Sequence, residues 1–399
     1  LSPASLNLAN RYWFLERYED AVPLLENYRA ASDGGLSVTA FNSLSEEYTA
    51  LGRFNHAHQL IGDALAQYPD SASLRCTKGN IHLFEGSLDD ATRAYTEAMS
   101  LAPGYPRTMT GLAWVAIIQS QWQKATEYSA SLSSSSSPRW SWQGSWNHGL
   151  ILLYQGKGSS AVQILIDGAA AVEGRSHLMS GLSRWFSAYV LLETGHLEDA
   201  LKEATQAQKD GEGNLAEWMG LFVQSVAEAK MGQIDKARNT AVRLADRTKS
   251  IPTHRETRRH LHLEGELARI RGDQNDGLAK LHEAESMLPE NGFGGVPGSH
   301  RIGPQPYVPI WYSLANAYLE AGDDDKASKW FQRIADATVE RVEWPIPYVR
   351  SFYFLGKIHE NRSEMDKARE DYRRFYEYWK DGDMDRERVE EAKRKLGIT

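Results

Sequence analysis

Small residues and large apolar residues recur along this chain at helical spacing, and one phrase returns every 34 to 50 residues. The stretch from Tyr48 through Gly52 to Ala57 aligns with Leu191 through Gly195 to Ala200. It aligns again with Glu228 through Gly232 to Ala237 and with Tyr318 through Gly322 to Ala327. Its last position recurs as Ala21, Ala57, Ala91, Ala125, Ala161, Ala200, Ala237, Gly277, Ala327 and Ala368. Twelve residues earlier in each unit stand Ala9, Ser45, Gly79, Ala113, Gly149, Ala188, Ser225, Gly265, Ala315 and Gly356. Two antiparallel helices joined by a tight turn approach closely only where neither carries a large side chain. The pattern therefore predicts ten helix–turn–helix units stacked as an all-α solenoid.

Punctuation agrees with this reading. Pro69, Pro103 and Pro289 stand where second helices should stop, because proline cannot continue the backbone ladder. Asp89, Asp199 and Asp235 sit in turns where they favour a following helix N-terminus. The stretch Met384–Leu396 reads as a further amphipathic helix with Asp383 as its cap, a polar cover for the last unit. Two segments break the rhythm. The serine-rich run from Ser131 to Pro138 reads as a loop. Asn291 to Pro309, rich in glycine and proline, is expected to be non-helical and either to fold over the groove or to hang free.

In its best-kept units the pattern resembles the tetratricopeptide repeat (TPR). The second unit supplies Phe41, Leu44, Tyr48, Gly52, Ala57, Ala64 and Pro69, the ninth Trp311, Leu314, Tyr318, Gly322, Ala327 and Phe331, and the tenth Phe352, Leu355, Gly356, Ala368 and Tyr372. Units four to seven depart from it, with Ser129, Ala204 and Ala241 where a large residue is usual. The resemblance implies a right-handed superhelix. Units one to eight are expected over 1–289, the insertion over 290–308, units nine and ten over 309–382 and the capping helix over 383–399. The tail from Trp344 to Lys395, with Trp344-Pro345-Ile346-Pro347 and Tyr378-Trp379-Lys380-Asp381-Gly382-Asp383, looks like the carboxy-terminal TPR region of bacterial multidomain signalling proteins, among them Ser/Thr kinases and winged-helix regulators.

Composition narrows the function classes. A formal net charge of −8 argues against a general nucleic-acid surface, which needs excess Lys and Arg. Cys76 is the single cysteine, so no intrachain disulfide forms and no cysteine-rich metal site exists. That fits a reducing compartment, and the cytoplasm is slightly favoured. Because the chain opens on Leu1 it is expected to be either a processed, exported mature form or a piece of something longer. No apolar run approaches the length that a membrane helix requires. The twelve tryptophans exceed what a core needs.

The concave wall of such a solenoid comes from the first helix of each unit. In this register its exposed positions include Trp114, Ile117, Trp146, Leu150, Trp185, Tyr189, Phe222 and Val226, all apolar. Aromatic anchors of this kind mark interaction surfaces. The competing reading shifts these units by a residue and puts the same side chains in the core. Further along, the wall turns polar with Arg258, Arg259, His262, Glu266 and Arg269, then Arg350, Tyr353, Lys357 and Glu360. An apolar middle and a basic end suit an extended peptide with an acidic end, since Arg grips carboxylates bidentately.

Chemistry-bearing motifs fail on inspection. His254, His260 and His262 lack a third strong ligand at coordinating spacing. Asp381, Asp383 and Asp385 begin like a calcium loop, but Arg386 replaces the required glycine. Gly156-Lys157-Gly158-Ser159 lacks the upstream glycine of a phosphate loop and falls in a repeat turn. No nucleophile stands with a base. The expectation is a non-enzymatic scaffold without metal or cofactor, binding a peptide or protein in its groove. The alternative is self-assembly through the solenoid ends into oligomers or filaments.

Overall fold

In the computed structural model, which describes residues 3–31, 36–249, 254–289 and 307–398, the described residues form 21 helices and no strand. They divide into two compact units, one built on Leu1–Ser134 and the other on Ser135–Leu288 with Gln305–Thr399. The division falls inside the run that the repeat spacing reads as continuous over 1–289.

The first unit pairs α1 (Pro3–Phe14) with α2 (Tyr18–Ala31), α3 (Val38–Ala50) with α4 (Phe54–Gln67), α5 (Ala72–Glu85) with α6 (Leu88–Leu101) and α7 (Pro106–Ile118) with α8 (Trp122–Ser133). The second pairs α9 (Pro138–Tyr154) with α10 (Gly158–Val172), α11 (His177–Glu193) with α12 (Leu197–Asp210), α13 (Leu215–Lys230) with α14 (Ile234–Thr248) and α15 (His254–Ile270) with α16 (Gln274–Ser286). It continues with α17 (Tyr307–Glu320) against α18 (Asp324–Ala335) and α19 (Pro345–Asn361) against α20 (Met365–Trp379), and ends on α21 (Arg386–Leu396).

The small-residue register holds throughout, including the atypical units. Ala113, Ala125, Ala161, Ala188, Ala200 and Ser225 are fully buried where paired helices cross. The tolerance there is narrow: a Cβ on Gly79 would lie 2.5 Å from the Tyr95 ring, and one on Gly265 2.7 Å from Leu281. Helices α4, α6 and α16 end before Pro69, Pro103 and Pro289.

Two sequence expectations are corrected. Helix α8 runs on through Ser131 and Ser133, whose hydroxyls donate to the carbonyls of Glu127 and Ser129, one turn back. The serine-rich loop is therefore confined to Ser134–Ser137. Helix α17 begins at Tyr307, so Tyr307–Pro309 is helical. Pro309 is tolerated because the first four N–H groups of a helix have no partner within it. The rest of the expected insertion, 290–306, lies outside the described residues.

Glu47 in α3 is buried at 1% exposure, and its Oε2 has no hydrogen-bond partner among the described residues. Burial, helped by the neighbouring Glu46 charge, pushes its carboxyl up to about 9. The folded chain thus holds a proton that the unfolded chain releases above about pH 4.5, so stability falls as pH rises towards 9. Glu47→Gln removes this penalty. It should stabilise the first unit by up to about 5 kcal/mol at pH 8, falling below about 1 kcal/mol at pH 5, measured by urea denaturation at both pH values.

The second unit closes on itself. The turn after α20 packs on the turn between α9 and α10, more than two hundred residues earlier in the chain. The Trp379 indole, fully buried, donates from Nε1 to the Leu153 carbonyl at 3.0 Å. Gly156 carries φ +70°, and its carbonyl accepts from the Asp383 and Met384 amides at 2.8 and 3.0 Å. Asp383 accepts from the Gly158 and Ser159 amides at 2.6 and 3.1 Å. It therefore caps α10 rather than α21, correcting its expected role: the free N–H groups that made 156–159 resemble an anion site are filled by the chain's own carboxylate. Helix α21 starts instead from Asp385, in the left-handed region at φ 45°.

Candidate ligand cavity of the second unit

The inner helices of the second unit enclose a cavity of about 240 Å³. Its wall follows from the register. Counting from the small residue of each first helix, the side chains three before and one after face inward. These are Trp185 and Tyr189 on α11, Phe222 and Val226 on α13, His262 and Glu266 on α15, and Tyr312 and Asn316 on α17, and all eight line the cavity. Arg259 and Arg269 add positive charge on α15, and Arg388 reaches in from α21.

Eight of the wall residues read from sequence meet here: Trp185, Tyr189, Phe222, Val226, Arg259, His262, Glu266 and Arg269. Four do not, and their expected exposure is corrected. Trp146 and Leu150 occupy the same register positions in α9 but are 1% and 0% exposed. Trp146 sits under α11, with ring centroids 4.9 Å from Phe186 and 5.1 Å from Trp142. Trp114 and Ile117 belong to the first unit and are buried there. These four are core side chains in an unshifted register, and Trp185 and Val226, each 3% exposed, are buried as well.

The tenth unit's polar wall is likewise covered. Tyr353 donates to Glu391 at 2.6 Å, and Glu360 is bonded by Lys395, so α21 lies across α19. Arg258, expected on the wall, is buried and donates to the Met287 carbonyl at 3.3 Å. Trp218, Tyr312, Trp344, Phe354 and Arg388 were missed as lining residues. Tyr312 was legible by carrying the inward positions on to the ninth unit. Trp344 lies before α19, outside any helical period, yet its ring stands 5.5 Å from Tyr189 and 6.0 Å from Trp185.

Apolar and ionic side chains share the cavity wall. Burial drives the His262 imidazole down to about 4 against the nearby Glu266, so it is neutral near pH 7. Its Nε2 lies 2.8 Å from Ser313 Oγ and its ring 4.8 Å from Phe222. Burial raises the Glu266 carboxyl, but Arg269 outweighs it and holds it at about 2. Arg269 Nη2 donates to Glu266 Oε2 at 2.8 Å and Nη1 to Glu320. Glu266 Oε1 and Arg269 Nε are buried with no hydrogen-bond partner among the described residues. The Ser313 hydroxyl also helps to hold the Glu266 carboxylate, so the buried Arg269 Nε is the costlier of the two unless a guest completes it. The His254 side chain is not described, and His260 pairs instead with Glu264, 4.0 Å away.

Comparison with known proteins bears on the fold. The family described as Iml2/Tetratricopeptide repeat protein 39 matches residues 34–143, and a tetratricopeptide repeat pattern matches residues 310–343. A Rap protein solved in complex with competence and sporulation factor is 11% identical over 85% of this chain and 98% of its own, with TM-score 0.51. A tetratricopeptide repeat protein from Parabacteroides merdae is 14% identical over 73% and 98% (TM-score 0.40), and yeast Tom70 10% over 99% and 94% (TM-score 0.43). No curated protein matches. The chain carries TPR-type repeats and is an all-helical solenoid, a fold that generally mediates protein–protein interaction. No described helix is long and apolar enough to cross a membrane.

Proposed function

We propose that the second unit is a peptide-binding module whose guest enters the cavity between α11, α13, α15 and α17. The observation that carries this is the buried Glu266–Arg269 ion pair, whose Arg269 Nε has no hydrogen-bond partner among the described residues, set beside an aromatic wall. A peptide group presents one N–H and one C=O a short distance apart, and a neighbouring large side chain would fill the space between Trp185, Phe222 and Trp344. At about 240 Å³ the cavity lies below the roughly 300–1,000 Å³ usual for small-molecule sites, enough for a short anchoring segment. Lys230 and Arg259, cations of the lining outside the Glu266–Arg269 pair, favour an acidic group or a chain-terminal carboxylate next to that anchor. The Rap protein, solved in complex with competence and sporulation factor, shows a similar fold holding a partner. The resemblance of the Trp344–Lys395 tail to bacterial signalling proteins supports a regulatory setting.

Self-assembly through open ends is less favoured, because the α20 end of the second unit is covered by its own chain. Binding rather than catalysis is the reading: Ser313 Oγ touches His262, but Glu266, the acid that would have to orient that imidazole, is held instead by Arg269.

The test is to pan a random peptide library on the intact chain. Enriched sequences should join a large apolar residue to an acidic one or to a free C-terminus. Phe222→Arg, which puts a cation beside Arg259 and removes an anchor, should weaken their binding at least about 30-fold with unchanged helicity. Equal binding by this variant excludes the cavity.

A further inference from the structure

Away from the cavity, in the first unit, two histidines and a glutamate converge where the second and third helix pairs meet. His58 stands on α4, and His82 and Glu85, three residues apart, stand on the last turn of α5. His58 Nε2 lies 3.1 Å from Glu85 Oε2, and His82 Nδ1 lies 3.6 Å from that same oxygen. The three atoms all lie within 4.8 Å of one another. The two rings are 4.5 Å apart and tilted by 43°.

A hydrogen bond between His58 and Glu85 explains part of this arrangement. It does not explain His82, whose Nδ1 is buried, turned towards the shared oxygen and without a hydrogen-bond partner among the described residues. Tetrahedral zinc with bonds of about 2.0–2.1 Å to nitrogen and oxygen holds its ligand atoms about 3.3 Å apart. The two distances to Glu85 bracket that value, and the third edge, no longer than 4.8 Å, closes on it as the ion draws the two rings together.

We propose that His58 Nε2, His82 Nδ1 and Glu85 Oε2 form a site for a divalent transition-metal ion of the zinc type. Two imidazoles and one carboxylate suit such an ion and are poor ligands for magnesium or calcium, which take oxygen. Glu85 is exposed, so water completes the shell. The ion ties α4 to α5 across the boundary between repeats and stabilises the first unit by binding only its folded form.

The experiment titrates chelator-treated intact chain with Co²⁺, then displaces it with Zn²⁺. One ion per chain should bind, with the intense visible absorption of tetrahedral cobalt and a rise in melting temperature. His82→Ala should lower affinity at least about 100-fold, beyond the 10–100-fold carried by residues outside the ligand shell. Glu85→Gln, at an exposed position, should do the same while leaving the metal-free melt unchanged, which separates lost coordination from lost folding. His260→Ala should bind as wild type. An adventitious ion only, meaning weak binding without the tetrahedral spectrum or binding indifferent to both ligand variants, overturns the proposal.

Discussion

Trp379→Ala should cost about 3–5 kcal/mol of the second unit's unfolding free energy. The indole is fully buried, its Nε1 satisfies the Leu153 carbonyl, and its ring lies against Gly156 in the turn that starts α10. Truncation leaves a cavity, an unmet carbonyl and a loosened chain end in one step. The neighbourhood relaxes poorly, because Gly382 is already pressed on Gly156: a Cβ there would lie 2.2 Å from the Gly156 oxygen. Two readouts apply. Urea denaturation should show the loss directly, and hydrogen exchange at the Gly158 and Ser159 amides, held by Asp383, should accelerate with it. A cost below about 1 kcal/mol with unchanged exchange would mean that the closure contributes little.

Arg350→Met should cost a similar amount, about 3–5 kcal/mol, for an electrostatic reason. The Arg350 guanidinium, 5% exposed, donates from Nε and Nη2 to the two Asp385 oxygens, each at 2.9 Å. It also reaches the Glu193 carboxylate and the Glu193 carbonyl, the latter at 2.8 Å, so one cation joins α11, α19 and the start of α21. Methionine keeps much of the volume and strands two acids. Burial pushes the Asp385 carboxyl up, yet Arg350 and Arg388 hold it below its ordinary value. A depressed carboxyl contributes stability above its unfolded pKa of about 4, and this is lost as pH falls through the folded value. The gap between wild type and variant should therefore be widest above about pH 5 and narrow in acid. A gap that widens in acid would contradict this role for the pair.

The repeat register was legible because close helix crossings tolerate nothing larger than alanine or serine, and Ala113, Ala188 and Ser225 obey that rule even where other family positions fail. Inward-facing positions followed from the same spacing, which is why Trp185, Tyr189, Phe222 and Val226 were found together. What one-dimensional spacing cannot carry is contact between distant repeats. Trp146 and Trp185 hold equivalent positions, but only Trp185 reaches the cavity, because α9 lies where the unit closes. The same blindness hid the true partners of Asp383 and Arg350, 225 and 157 residues away. The excess tryptophan is explained by that closure as much as by binding: Trp142, Trp146, Trp344 and Trp379 are all buried in the second unit. The His58, His82 and Glu85 cluster was missed because its ligands come from two different repeats.

Photo-crosslinking tests the cavity most directly. A peptide selected on the intact chain, carrying a photoreactive group at its apolar anchor, should label the inner faces of α11, α13, α15 and α17, at or beside Trp185, Phe222 and Tyr312, and Phe222→Arg should abolish labelling. Adducts confined to the outer helices α12, α14 and α16 or to the first unit, or labelling that persists undiminished in Phe222→Arg, would contradict peptide binding in this cavity.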